Sequence, residues 1–215
     1  MRRALAAIGL VLLLAAPGAS QQTGLTEGQI KSAELEVPEL VKLFELKPGM
    51  TIADVGAGFG AWTVQFSKVV GPSGRVYSTD VGAAQLAALR AAAQRDGFGN
   101  VIVLEGATNT SNLPALCCDT ILIRDAYHHL TQPDAIVKSL AAALKPGGRL
   151  AVIDFPPRPN SEVPSGVPSD RLGHGVPPGV VEREVGTVLT HVRTISSWSA
   201  ESQPASLYLV LFRKS

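Results

Sequence analysis

The stretch Thr51-Ile52-Ala53-Asp54-Val55-Gly56-Ala57-Gly58-Phe59-Gly60 decides the fold. Its first half is an apolar run broken only by one acid, the pattern of a short strand covered on both faces. Three alternate glycines follow, and a helical pattern opens at Ala61. Glycines let the backbone turn sharply and come close to a ligand, and a helix start offers N–H groups without intrahelical partners. The same glycines also serve a bare strand-to-helix turn. The acid just before them favours a ligand that carries positive charge.

Working outward, strands alternate with helices. Val37 to Phe44 has the spacing of one helix face, and Lys47-Pro48-Gly49 ends it. Ala61 to Val70 predicts a helix, closed by Gly71-Pro72-Ser73-Gly74. Arg75 to Thr79 is a second strand and Ala83 to Arg95 an alanine-rich helix. Strands follow at Val101–Leu104 and Thr120–Ile123, then a helix over Pro133–Leu144 and a fifth strand over Leu150–Ile153. Lys145-Pro146-Gly147-Gly148 is expected to stop that helix. The alternation predicts an α/β doubly wound sheet. The last third is less regular. Phe155 to Pro178 is dense in Pro, Gly and Ser and too long for a plain connection, so it is expected to be a lid-like loop. A short helix near Gly179–Val185 and strands at Val188–Ile195 and Leu207–Phe212 complete the chain.

Ligands of open parallel sheets bind at the carboxyl ends of the strands. Asp54, Asp80, Glu105, Arg124 with Asp125, and Asp154 all fall at such ends. Asp80 lies about twenty residues past the glycine loop, where a carboxylate can accept two ribose hydroxyls. Gly56-Ala57-Gly58-Phe59-Gly60-Ala61 also fits a dinucleotide fingerprint with Ala in its last place. Asp54 weighs against that fit, because a carboxylate repels a pyrophosphate and attracts an ammonium or a sulfonium.

These motifs together resemble the class I S-adenosylmethionine-dependent methyltransferases. Asp54 to Gly60 stands where that family has its first motif, and Asp80 at its ribose-binding acid. Glu105-Gly106-Ala107-Thr108 resembles the turn that flanks the adenine, with Glu105 and Thr108 departing from the commoner pattern. Asp119 to Leu130 resembles the fourth-strand motif, including His128-His129-Leu130, and Leu144 to Gly148 the turn before the fifth strand. The resemblance covers residues 37–155 and, more loosely, the final strand. It implies a seven-stranded, mostly parallel Rossmann-like sheet with the last strand antiparallel. It implies S-adenosylmethionine as cofactor, bound by Asp54, Gly56, Ala57, Gly58, Gly60, Asp80, Gly106, Ala107 and Arg124. The activity it implies is methyl transfer to a small-molecule acceptor.

Such a transfer needs a base only when the acceptor must lose a proton. Asp125 and His128 are the candidates for that role; Tyr127 and His129 lie beside them, and His129 is expected to pack. Asp125 and Asp154 alone are a thin ligand set, so no metal is expected. His174 can reach the substrate from the loop, although an exposed loop histidine is the commoner outcome. Two other functions stay in view: a non-catalytic S-adenosylmethionine- or nucleoside-binding protein, and a nicotinamide-dependent oxidoreductase. Asp54 and the Lys-Pro-Gly-Gly turn weigh against the latter.

The 215 residues suit one domain, and a net charge of +1 without a basic stripe gives no sign of a nucleic-acid partner. Arg2-Arg3, an apolar run to Ala16 and Pro17-Gly18-Ala19-Ser20 have the three parts of an export signal. Residues 1–20 are therefore expected to be a signal peptide of an exported protein, touching a membrane only if uncleaved. A cytoplasmic protein with a misassigned start is the alternative. Residues 21–36 read as a linker before a domain over 37–215. Cys117 and Cys118 are adjacent, and the ordinary geometry of a disulfide sets its Cα atoms farther apart than neighbours sit, so two apolar side chains are expected there. Oligomeric state has no signature.

Overall fold

The computed structural model describes residues 24–94, 98–198 and 207–215. The expected signal peptide and the Ser-rich turn before the last strand lie outside the described residues. Five helices and seven strands follow the chain. They are α1 (Glu27–Phe44), β1 (Thr51–Val55), α2 (Ala61–Val70), β2 (Arg75–Asp80), α3 (Ala83–Ala93), β3 (Val101–Glu105), β4 (Cys118–Arg124), α4 (Pro133–Ala143), β5 (Leu144–Asp154), α5 (Pro178–Val185), β6 (Thr190–Trp198) and β7 (Leu207–Arg213).

One sheet runs in the order β3-β2-β1-β4-β5-β7-β6. The first five strands pair in parallel, and β7 is antiparallel to both β5 and β6. This is the doubly wound, mostly parallel sheet the sequence predicts. Strand order reverses between β1 and β4, so their carboxyl ends diverge into a crevice. The central strands are buried on both faces, which explains their unbroken apolar runs. Phe66, Val70, Leu40 and Phe44 of α1 and α2 pack on one face with Ile52 and Ile153. Ile136, Leu140, Val181 and Val185 of α4 and α5 pack on the other with Ile121 and Val152.

Three local expectations give way. The stretch 21–36, read as a linker, is helical from Glu27. Thr26 accepts from the backbone N–H of Gln29, and the Gln29 side chain accepts from the N–H of Thr26, so a capping box starts α1 ten residues early. Helix α1 then runs through Pro38. Lys145 to Gly148 belongs to the start of β5, with a register shift against β4. Cys117 and Cys118 are joined by a disulfide, not left as two apolar thiols. The pairing closes within one dipeptide, which the ordinary geometry for bridges between separate segments does not describe.

Candidate active site

The crevice at the β1–β4 divergence is a cleft of about 580 Å³. Its walls include Gly56, Gly58, Asp80, Gly106, Ala107, Asp125 and His129. A smaller recess of about 140 Å³ adjoins it, bounded by Asp54, Ala57, Trp62, Arg124 and the first turn of α1. Gly56, Gly58 and Asp125 border both spaces. The combined volume falls in the range of small-molecule sites.

The glycine loop shapes this wall and spends its own N–H groups on the protein. The N–H groups of Gly56 and Ala57 both donate to the Thr79 carbonyl at 2.9 Å, and Gly60 donates to Ala57. The Gly58 N–H donates to Asp80 Oδ2 at 2.9 Å. A loop built for pyrophosphate leaves such donors free, so the dinucleotide fit loses its physical basis. Gly56 has φ 72°, and a Cβ there would stand 2.6 Å from that of Ala126. Gly60 lies outside the cleft: a Cβ on it would stand 2.8 Å from Leu89 Cδ2, so it serves the packing of α2 on α3.

Asp80 is oriented from both sides. Its Oδ1 accepts from the Gly82 N–H at 2.9 Å while Oδ2 holds Gly58. Both oxygens keep lone pairs for a further donor pair. Gly106 sits against it, donating its N–H to the Asp80 carbonyl at 2.9 Å.

Asp54 is buried beside the first turn of α2. It accepts from Thr63 Oγ1 at 2.6 Å. Burial raises its pKa to about 6; the Thr63 bond opposes the rise and the charge of Asp80 adds to it. A cation bound in the recess favours the ionised carboxylate and pulls this pKa down. Binding of a cationic ligand is then strongest above pH 6, where Asp54 is already ionised, and weakens as pH falls through 6. Titration calorimetry with S-adenosylmethionine at pH 7 and pH 5 is expected to show several-fold weaker binding at the lower pH, and Asp54→Asn to flatten the difference. Equal affinity at both pH values would remove Asp54 from the ligand's charged end.

Arg124 departs from its expected role as a cofactor ligand. Its guanidinium is committed to Glu36 of α1, with Nε to Oε2 at 2.8 Å and Nη2 to Oε1 at 2.9 Å. It also lies 3.9 Å over the Trp62 ring, whose indole N–H donates to the same Glu36. Glu36 and Trp62 escaped the sequence reading. An acid in a supposed linker signals a solvated residue unless a distant partner is known.

Beyond β4, Asp125 is exposed and held at φ 54°, in the left-handed region that L residues avoid. Although the residue as a whole is exposed, loss of water around its carboxylate at the cleft wall, and then the charge of Asp154, raise its pKa. The two histidines exchange their expected places. His128 is buried, its Nδ1 2.8 Å from Asp154 Oδ1 and its backbone N–H donating to Oδ2. His129, expected to pack, is exposed and borders the cleft. The short 3-10 turn over Tyr127–His129 accounts for this, pointing successive residues in different directions. The loop over 155–178 folds back over this region. Arg171, fully buried, bonds Glu184 of α5 at 2.8 and 3.1 Å, and Tyr127 donates to the same carboxylate.

A family model described as a methyltransferase domain matches residues 52–148, the span from β1 into β5. A crystal structure of a SAM-dependent methyltransferase from Aquifex aeolicus superposes with a TM-score of 0.68 at 25% identity, covering 88% of this chain and 94% of that one. Residues 52–148 thus match a methyltransferase domain, set in a fold shared with S-adenosylmethionine-dependent methyltransferases. The ubiquinone/menaquinone biosynthesis C-methyltransferase UbiE of Pseudomonas paraeruginosa is 33% identical over 116 residues, 54% of this chain and 45% of UbiE. The chain thus spans less than half the length of such relatives. The glycopeptide N-methyltransferase MtfA, solved with sinefungin, shares the fold: TM-score 0.65, 16% identity, 86% and 87% of the two chains. The residues of this methyltransferase fit S-adenosylmethionine. An oriented acid faces the larger cleft, a buried acid borders the recess, and a wall is built from residues whose side chains would fill it.

Proposed function

We propose that this methyltransferase moves the methyl group of S-adenosylmethionine to a small-molecule acceptor. The observation that carries the proposal is Asp80, fixed by two backbone N–H groups at the mouth of the cleft where strand order reverses. Asp80 receives the ribose hydroxyls, and Gly106 and Ala107 flank the adenine. Asp54 faces the charged amino-acid end in the recess. The donor supplies an electrophilic methyl on a sulfonium; in-line alignment of the acceptor does most of the remaining work. Asp125 borders both spaces, and its raised pKa suits it to take a proton from the acceptor. His128, pinned by Asp154, positions that edge from behind.

The test is incubation with methyl-labelled S-adenosylmethionine and a metabolite extract, with hydroquinones added because UbiE is a quinone-pathway C-methyltransferase by name. Label in a small product that disappears in Asp80→Ala is the expected result. Donor binding without any labelled product would leave a binding protein instead. We further infer export as the setting. The basic start and short apolar run of residues 1–20 support it, and so does the Cys117–Cys118 disulfide, a bond that persists in oxidising compartments.

A further inference from the structure

The whole sequence holds four histidines, and three of them meet at one point. One ring nitrogen from each of His128, His129 and His174 lies within 4.8 Å of the others. The ring centroids are 4.0 Å apart for His128 and His129, and 5.0 and 5.6 Å from each of these to His174. Two come from the turn after β4 and the third from the separate loop after β5.

The backbone is shaped to deliver His174. It sits between Gly173 at φ 137° and Gly175 at φ 128°. A Cβ on Gly175 would stand 2.7 Å from the Pro156 carbonyl oxygen, so only glycine allows this close pass over the end of β5. The His174 N–H donates to Ser161 Oγ at 2.8 Å, and its carbonyl accepts from Arg158 at 2.9 Å. His174 is fixed on both sides of the peptide.

His128 has the hydrogen bonding of a metal ligand. Asp154 takes the Nδ1 proton, which fixes the tautomer and turns the Nε2 lone pair to the other side. Asp154 is fully buried, and its oxygens already accept from the His128 ring and from the N–H groups of His128 and Phe155. It is therefore a partner to a ligand, and not a ligand itself. A cation on the far side of the imidazole compensates this buried carboxylate.

We propose that His128, His129 and His174 form a binding site for a zinc-type divalent cation at the edge of the donor cleft. Three imidazoles with an open fourth position are a zinc donor set. Zinc–nitrogen bonds of about 2.0–2.1 Å in a tetrahedron bring the nitrogens to roughly 3.3 Å, so ring rotations that close the widest separation by up to about 1.5 Å accompany binding. His129 belongs to both the cluster and the cleft. Building on the methyl-transfer proposal, the fourth position takes the hydroxyl or thiol of the acceptor. The ion favours loss of the X–H proton, which passes to Asp125. The X–CH3 bond forms as the S–CH3 bond breaks, and neutral S-adenosylhomocysteine leaves.

The test uses the full chain without a histidine tag, stripped with a chelator and titrated with Zn²⁺ against a chromophoric competitor. Cobalt substitution reads the geometry by its visible absorption. One ion per chain, four-coordinate cobalt bands, and at least a 100-fold loss of zinc affinity in His174→Ala and in His129→Ala are expected. Asp154→Asn should lose about 10–100-fold, and His191→Ala nothing. Melting curves separate ligand loss from misfolding. No stoichiometric uptake, or unchanged affinity in both histidine variants, overturns the proposal. Titration with S-adenosylmethionine on the same stripped protein reports the donor site by itself, so failure of one proposal is told from failure of the other.

Discussion

Arg124→Ala is expected to cost about 3–5 kcal/mol of folding stability, the usual penalty for removing one partner of a buried ion pair. The Glu36 side chain is 1% exposed and that of Arg124 8%, so the variant strands a carboxylate with no water to receive it. The Trp62 indole N–H remains as a donor to it. The pair also fastens α1 to the end of β4, and the first turn of α1 borders the recess. Donor affinity should therefore fall together with stability. Guanidinium unfolding monitored by Trp62 and Trp198 measures the loss; a change below about 1 kcal/mol would refute the assignment. The double variant Glu36→Gln with Arg124→Met should recover most of the stability, because the charge that needs a partner is gone.

Asp80→Ala is expected to weaken S-adenosylmethionine binding by roughly 100- to 1000-fold. Two hydrogen bonds to a charged acceptor are worth about 1.5–3 kcal/mol each, and 3–4 kcal/mol corresponds to that range. The substitution also leaves the N–H groups of Gly58 and Gly82 without their partner, which loosens the wall. Asp80→Asn keeps the shape and one acceptor oxygen, so it should fall between the two. Calorimetric titration gives the affinities, and a thermal melt shows that the fold survives. Unchanged binding in Asp80→Ala would place the ribose elsewhere.

The sheet was legible because its central strands are mostly apolar and a charged residue stands at or beside each carboxyl end. Those two signals are local. Asp54, Asp80 and Asp125 could be placed at the crevice by counting along strands. The first half of α1 could not. Its buried face includes Glu36, whose partner Arg124 lies 88 residues away, so periodicity reads a charge as solvated. The exchange between His128 and His129 has a similar cause. A single 3-10 turn decides which of two neighbours faces the core, and sequence spacing over two residues holds no such information. His174 was visible only as a histidine in a flexible-looking segment. The flanking glycines, which in sequence look like looseness, are what allow that segment to run in contact with β5.

The buried arginine of the 155–178 loop has a consequence for engineering. Exchanging acceptor-selecting loops between related enzymes treats such a loop as a removable cassette. Here Arg171 is matched by Glu184 on α5, whose carboxylate also accepts from the Tyr127 hydroxyl after β4, and both of these residues lie outside the segment. A graft of 155–178 alone would carry an arginine into a scaffold lacking its carboxylate, or leave Glu184 stranded in this one. The unit that can be transplanted is thus three pieces of chain, and the loop travels only together with part of the core.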